Sequence, residues 1–343
     1  MNAEKISGNV TSSRPPSPRE GGQHDGRLDA ELRETASRLI AEQYATRVTG
    51  SSEPRSNSEA EFDEHLAARP TMTRTDTTIN GYGGDDVTLA LVERTARRRS
   101  KLRPALFYIH GGGMVSGDRF FGLDEYLPWV ESHDAILASV EYRLAPAFPD
   151  PVPVEDCYSA VRWLFDHAVE LNIDPRSVIL IGTSAGGGLA AGVSLMLRDR
   201  DGPKLMGQML RSPMLDDRDE SVSTLQQDRD AVWDRASNRA AWTALLGARR
   251  GTENVSPYAA PARLDVVPGL PPTYLDVGSE DVFRDEVSAF ASKIWAADGE
   301  AELHVWAGGF HTFDSVVPTA AISRTSLTVR DEWLRRRLTS RCD

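Results

Sequence analysis

The segment Gly182-Thr183-Ser184-Ala185-Gly186 holds a serine hydroxyl between two glycines, directly after the aliphatic run Val178-Ile179-Leu180-Ile181. A buried strand, a small-residue turn and the apolar helical stretch 189–197 predict a tight strand-to-helix elbow with Ser184 at its tip. The glycines make room for a strained backbone, and the helix N-terminus beyond favours developing negative charge. This is the setting of a nucleophile in acyl transfer. A second glycine run, His110-Gly111-Gly112-Gly113, follows the strand expected at 105–109. Acyl transfer through a tetrahedral oxyanion needs two or three N–H donors converging on one point, and a backbone without Cβ atoms can approach that point. Gly111, Gly112 and Gly113, with the N–H of Ala185 one residue past the serine, are the expected oxyanion hole.

Ser184 also needs a base and a group to orient it. His311 lies in Gly308-Gly309-Phe310-His311-Thr312-Phe313, a loop after the strand expected to end at residue 306. The other histidines fit less well. His304 falls inside that strand, His167 on a helix, His133 in or just after one, and His24 and His65 in the N-terminal region. His110 precedes the oxyanion glycines, where a structural hydrogen bond is the expected role. For the acid, Asp281 follows the C-terminal end of the strand expected at 273–277, where α/β sheets display functional groups. Asp276 is within the strand, Asp285 and Glu286 belong to the next helix, and Glu280 is the remaining competitor.

The elements that must position these residues are legible as an alternation. Strands are expected at 105–109, 135–141, 178–181, 205–210, 273–277 and 301–306, and helices at 153–171, 185–200, 285–297 and 321–338. Such alternation predicts an α/β fold with a mostly parallel sheet covered by helices on both faces. Residues 71–79 and 86–93 alternate apolar and polar around Asn80-Gly81-Tyr82-Gly83-Gly84 and predict an antiparallel pair. Residues 1–26, rich in Ser, Pro, Gly and charge, read as a disordered tail. Apolar residues from Leu28 to Tyr44 recur at helical spacing, and 51–69 reads as a loop with a little helix. Residues 216–268 interrupt the alternation with a polar, helix-like insertion carrying Trp233 and Trp242. The expected division is therefore a tail at 1–26, helices of a covering cap at 27–70, an α/β core at 71–215 and 269–343, and a cap insertion at 216–268.

Composition narrows the function. With 39 basic against 51 acidic residues the formal charge is −12, which argues against a general nucleic-acid binder. No apolar run approaches the roughly 20 residues of a membrane span, and the N-terminus lacks the apolar core of a secretory signal. Two cysteines, Cys157 and Cys342, are too few for a disulfide framework, and a cytoplasmic location is expected. The histidines show no metal-ligand spacing, so no metal site is expected.

Taken together, these residues resemble the hormone-sensitive-lipase-like family of α/β-hydrolases, also called bacterial type IV esterases or the alpha/beta hydrolase fold-3 group. The resemblance is carried by 110–113, Glu141-Tyr142-Arg143-Leu144-Ala145-Pro146, 149–156, 182–187, 281–286 and His311, and spans about residue 104 to the C-terminus. It implies an α/β-hydrolase fold with a helical cap, a triad in the chain order Ser184, Asp281, His311, and hydrolysis of short- to medium-chain carboxylic esters without a cofactor. A lactonase, an amidase or an acyltransferase would use the same residues, and a small-molecule receptor of the same fold would keep the pocket without the catalysis. The partner implied is a small-molecule ester; the oligomeric state stays open, a homodimer among the options. Three positions depart from the family's usual pattern: Thr183 stands where aspartate is common, Ala147 where glutamate follows the Tyr-Arg-Leu-Ala-Pro stretch, and Thr312 where glycine often follows the histidine.

Overall fold

A computed structural model describes residues 27–49, 58–95, 102–227 and 231–339; of 44–49 only the backbone is described. Eight strands form one sheet: β1 (Met72–Asn80), β2 (Asp86–Arg94), β3 (Arg103–Ile109), β4 (Ile136–Val140), β5 (Ile173–Thr183), β6 (Gly207–Arg211), β7 (Thr273–Gly278) and β8 (Ala301–Trp306). Their order is β1-β2-β4-β3-β5-β6-β7-β8. β1 pairs antiparallel with β2, and β2 with β4. All later neighbours are parallel. The helices are α1 (Arg33–Thr49), α2 (Ser58–Ala67), α3 (Leu127–His133), α4 (Val152–Asp166), α5 (Ala185–Asp199), α6 (Val222–Gln226), α7 (Arg235–Leu246), α8 (Arg284–Ala296), α9 (Phe313–Val316) and α10 (Ala321–Thr339).

Successive side chains of a strand point to opposite faces, and the central strands are apolar at both parities. Ala105, Phe107, Ile109, Val178 and Leu180 pack on one side with Val161 of α4, Leu189 of α5 and Phe290 of α8. Leu106, Tyr108, Ile179 and Ile181 pack on the other with Phe62 of α2, Val130 of α3 and Trp333 of α10. This double burial explains why the sheet strands read as near-continuous hydrophobic runs. The parallel half, β3 to β8, brings the C-terminal ends of its strands to one edge, and every candidate catalytic residue follows one of those ends.

The expected elements are all present, with shifted bounds. The strand around 178–181 extends to eleven residues. The helix expected at 153–171 ends at Asp166, and the chain turns through 167–170 to Asn172 at φ 57°. The first helix starts at Arg33 rather than Leu28, because Asp29 forms a turn: its carbonyl accepts from the Leu32 N–H at 3.0 Å and its side chain from the Glu31 N–H at 2.9 Å. Residues 58–67, read as mostly loop, are a ten-residue helix held by Phe62 against Phe120. The expected tail at 1–26 lies outside the described residues, as does Cys342, while Cys157 is buried as a free thiol. Among the described residues no helix is long and apolar enough to cross a membrane.

Candidate active site

Ser184 sits between β5 and α5 with φ 58° and ψ −122°, outside the regions a non-glycine residue ordinarily adopts. Neighbouring backbone over-determines that conformation. The Ser184 N–H donates to the carbonyl of Arg211 at the end of β6 (2.8 Å), and the Ser184 carbonyl accepts from Met214 N–H (3.0 Å). The flanking glycines are required by close approach. A Cβ on Gly182 would lie 2.1 Å from the Gly186 carbonyl oxygen, and one on Gly186 would lie 2.1 Å from that of Ile109.

The three residues from separate strand ends meet. The Ser184 hydroxyl donates to His311 Nε2 at 2.9 Å, and His311 Nδ1–H donates to Asp281 Oδ2 at 2.8 Å. The carboxylate can only accept, so it fixes the tautomer that leaves Nε2 free to receive the serine proton. Asp281 Oδ1 accepts from Phe283 N–H (3.0 Å), which orients the carboxylate in turn. Ser184, Asp281 and His311 are 6%, 1% and 7% exposed, enough seclusion to strengthen these bonds while leaving an approach to the serine. Glu280 turns elsewhere: it pairs with Arg27 at 3.6 Å and accepts from Gln227 at 3.4 Å.

The His110–Gly113 loop follows β3 beside the elbow, and Gly111 lies close to Thr183 and Ser184. Gly112 and Gly113 adopt φ 108° and 66°, left-handed conformations that a side chain would strain. Neither of their N–H groups has an acceptor among the described residues. Ala185 opens α5, so its N–H has no intrahelical acceptor either. His110 itself is fully buried, stacks on Tyr142 with ring centroids 4.2 Å apart, and holds the Gly111 carbonyl through Nδ1 at 2.8 Å. Burial pushes its pKa down to about 4, so near neutrality it is an uncharged strut for the glycine loop.

Beneath Ser184, His311 and Asp281 lies a buried ion-pair network that sequence reasoning missed. Arg211 donates to Asp314 (2.8 Å), Glu125 (2.7 Å) and the Tyr126 hydroxyl (2.8 Å). Arg330 donates to the same Asp314 and to Asp276 (2.7 Å). Tyr126 in turn lies 3.4 Å from Thr183 Oγ1, next to Ser184. Burial alone would raise the Asp314 carboxyl, but the flanking Arg330 and Arg211 win and hold it far below the usual range. Glu286 behaves oppositely: burial drives its pKa well above the ordinary value, while it accepts the Leu215 N–H at 2.7 Å. No local motif marks these residues, because their partners are mostly more than fifty positions away in the chain.

Two segments close over the site. The Asp29 N–H donates to the Gly308 carbonyl (3.0 Å), and Leu32 and Ala36 pack with Phe310 and Phe313 on the histidine loop. From the insertion, Trp233 and Ala241 crowd Gly113, where a Cβ would lie 3.0 and 3.1 Å from them. The Trp233 ring is 6.1 Å from the His311 ring. A narrow, mostly apolar cleft lined by Leu28, Ala36, Ile40, Val232 and Phe310 runs between the two segments.

Comparison with known proteins gives a consistent picture. A model described as the alpha/beta hydrolase fold matches residues 106–315. Carboxylesterase NlhH of Mycobacterium tuberculosis (strain CDC 1551 / Oshkosh) is 34% identical over 229 residues, covering 64% of this chain and 70% of its own. Esterase LipI of Mycobacterium tuberculosis (strain ATCC 25618 / H37Rv) is 33% identical over 224 residues, covering 63% and 68%. Among solved structures, a bacterial heroin esterase superposes with a TM-score of 0.78 at 34% identity, over 92% of this chain and 99% of its own.

Proposed function

The chain belongs to the alpha/beta hydrolase fold family and is a carboxylic ester hydrolase, and from that premise we propose that it works through an acyl-enzyme on Ser184. The observation that carries this reading is the bridge made by His311, 2.9 Å from the serine hydroxyl and 2.8 Å from Asp281. Ser184 Oγ attacks the ester carbonyl as its proton passes to His311 Nε2. Asp281 stabilises the imidazolium, and the N–H groups of Gly112, Gly113 and Ala185, with Gly111 completing the loop, receive the oxyanion. His311 then protonates the departing alcohol. A water repeats the steps on the acyl-enzyme and releases the acid. The serine proton leaves on the alcohol and a proton from the water replaces it, so Ser184 and His311 end the cycle as they began it, and the chemistry calls on no metal or cofactor.

The segments 27–70 and 216–268 are proposed as a cap that limits the acyl or alcohol group to short or medium length. Trp233 and Ala241 against Gly113, and Leu32 against Phe310, support this reading. Deleting residues 1–47 should then change chain-length preference or abolish turnover; unchanged kinetics on every ester would remove the N-terminal part from the cap.

The test of the mechanism is labelling by a fluorophosphonate together with rates on p-nitrophenyl esters of graded length, lactones and amides. Ser184 should be labelled in the wild type and not in Ser184→Ala. An unlabelled, ester-inert wild type would overturn the reading.

A further inference from the structure

Four buried polar atoms within ten residues of the insertion have no hydrogen-bond partner among the described residues: Trp233 Nε1, Asn238 Nδ2 and Oδ1, and Trp242 Nε1. Asn238 and Trp242 are both 0% exposed. Buried side-chain polar groups nearly always find partners, and an amide with neither end satisfied is costly. A position meant only to pack would have served better with leucine. The placement gives the exception a function. Asn238 precedes Ala241 by three residues and Trp242 by four on α7, so all three share one face of the helix. Ala241 is the residue that meets Gly113 of the oxyanion loop, and Trp233, just ahead of α7, reaches both Gly113 and His311. Trp233 and Ala241 thus reach the reacting centre, and Asn238 lies on the face of α7 that carries Ala241.

Resting on the serine esterase reading above, we propose that Asn238, assisted by Trp233 Nε1, recognises a carboxamide carried by the ester substrate. A carboxamide side chain presents an N–H donor beside a carbonyl acceptor. Its complement is another amide, whose own C=O and N–H satisfy both ends, while the indole N–H supplies a further donor for the substrate carbonyl. An alkyl chain satisfies none of these atoms and leaves the site to bind it with its own polar groups unpaired. A site built this way discriminates strongly against the substrate that lacks the group.

Matched esters differing only by an amide test this. On the acyl side, p-nitrophenyl esters of N-acetylglycine, N-acetyl-β-alanine and N-acetyl-4-aminobutyrate would be compared with pentanoate, hexanoate and heptanoate. On the alcohol side, 2-acetamidoethyl acetate would be compared with pentyl acetate. Each kcat/KM is divided by the hydroxide-catalysed rate of the same ester. The wild type should favour the amide by about ten- to hundred-fold in at least one pair. Asn238→Leu should bring that ratio toward one, and Trp233→Phe should lower it in part while keeping an aromatic ring near Gly113. A ratio within about three-fold in every wild-type pair, or one retained in Asn238→Leu, overturns the proposal; the wild-type series decides even if a variant fails to fold. A protein that hydrolyses esters and takes the fluorophosphonate but shows flat ratios refutes only the amide subsite. One that does neither refutes the esterase reading with it.

Discussion

Replacing Asp314 by Asn should damage both stability and turnover, because Asp314 ties the histidine loop to the floor of the site. It lies three residues past His311 and receives both Arg211 and Arg330, all three side chains being 3% exposed. Two unit charges about 4 Å apart at an effective dielectric near 20 attract by about 4 kcal/mol, and burial of the ions offsets much of that. The substitution does not refund the burial cost. It leaves two arginines facing each other with one counter-charge fewer, and breaking a buried pair in this way costs about 3–5 kcal/mol. Unfolding entropy of about 2.1 cal/mol/K per residue over 343 residues makes this a fall in Tm of about 4–7 °C, readable by calorimetry. The kinetic effect should fall mainly on kcat, since the loop that places His311 loses its tether while the binding surfaces keep theirs. Glu93→Gln is the control. It breaks the Arg103–Glu93 pair (2.7 Å) at the start of β3, the end of the strand away from the glycine loop, and should lower Tm without changing kcat. A normal Tm for Asp314→Asn would refute the energetic reasoning, and a lowered Tm with unchanged kcat would refute the tether.

Ser184→Ala, His311→Ala and Asp281→Asn should each lower kcat by about a thousand-fold or more, and double substitutions should add little, because the three act as one unit. Val at Gly182 or Gly186 would drive a Cβ into backbone oxygen and should prevent folding or turnover, whereas Thr183→Asp should keep kcat within about ten-fold since this side chain faces Tyr126. Thr312→Gly should raise the urea midpoint by the equivalent of about 1 kcal/mol, because a β-branched residue at φ 54° is strained and glycine is not; an unchanged midpoint would deny that strain. For pH, His110 has its pKa lowered from 6.5 to about 4 in the folded state, so the unfolded chain takes up its proton first. Its stabilising contribution is complete above pH 6.5 and is lost as pH falls toward 4. The slope reaches about 1.4 kcal/mol per unit only once the unfolded histidine is mostly protonated, so the step from pH 6.5 to 5 should cost about 1.6 kcal/mol. Urea midpoints at these pH values should show that slope, and His110→Asn should flatten it; an equal slope in both proteins would exclude His110 as its source.

What was legible in the sequence is what short-range chemistry constrains. An elbow needs its glycines adjacent to the serine, and an oxyanion loop needs its own in a row, so Ser184, Ala185 and Gly111–Gly113 announce themselves by spacing. Asp281 and His311 stood out as candidates because strand ends are visible as the limits of apolar runs. The choice of Asp281 over Glu280 also followed from position, and the structure brings Asp281 and not Glu280 to His311. The buried network was not legible. Arg211, Asp276, Asp314 and Arg330 are ordinary charges on strand and helix, and only the fold brings residues 211, 314 and 330 to one point. Asn238 was passed over for a different reason: in a polar stretch an asparagine reads as solvated, although the apolar spacing of Ala241, Trp242, Leu245 and Leu246 marks the buried face of α7 on which it lies. The bounds of α1 and α4 moved for local reasons that period alone does not reveal, a side-chain turn at Asp29 and a left-handed Asn172.

Two of the non-glycine residues at positive φ, Ser184 and Thr312, belong with the network to one arrangement. Ser184 at φ 58° and Thr312 at φ 54°, next to His311, are the kinds of conformation that cost of order 1–3 kcal/mol each, and they stand on either side of the Ser184–His311 hydrogen bond. Such strain persists only where the surroundings leave no alternative. Around Ser184 those surroundings are the Arg211 and Met214 backbone. Around Thr312 they are Asp314 below and the N-terminal segment above, through Leu32 and Ala36 on Phe310 and Phe313. Arg211 serves both sides at once, holding Ser184 by its carbonyl and Asp314 by its guanidinium. A serine and a histidine 127 positions apart are thereby referred to one residue at the end of β6, a strand followed by none of Ser184, Asp281 and His311. In the proposed mechanism Arg211 thus braces both the serine and the histidine loop, which is why a charge change at Asp314 should be felt in turnover as well as in stability.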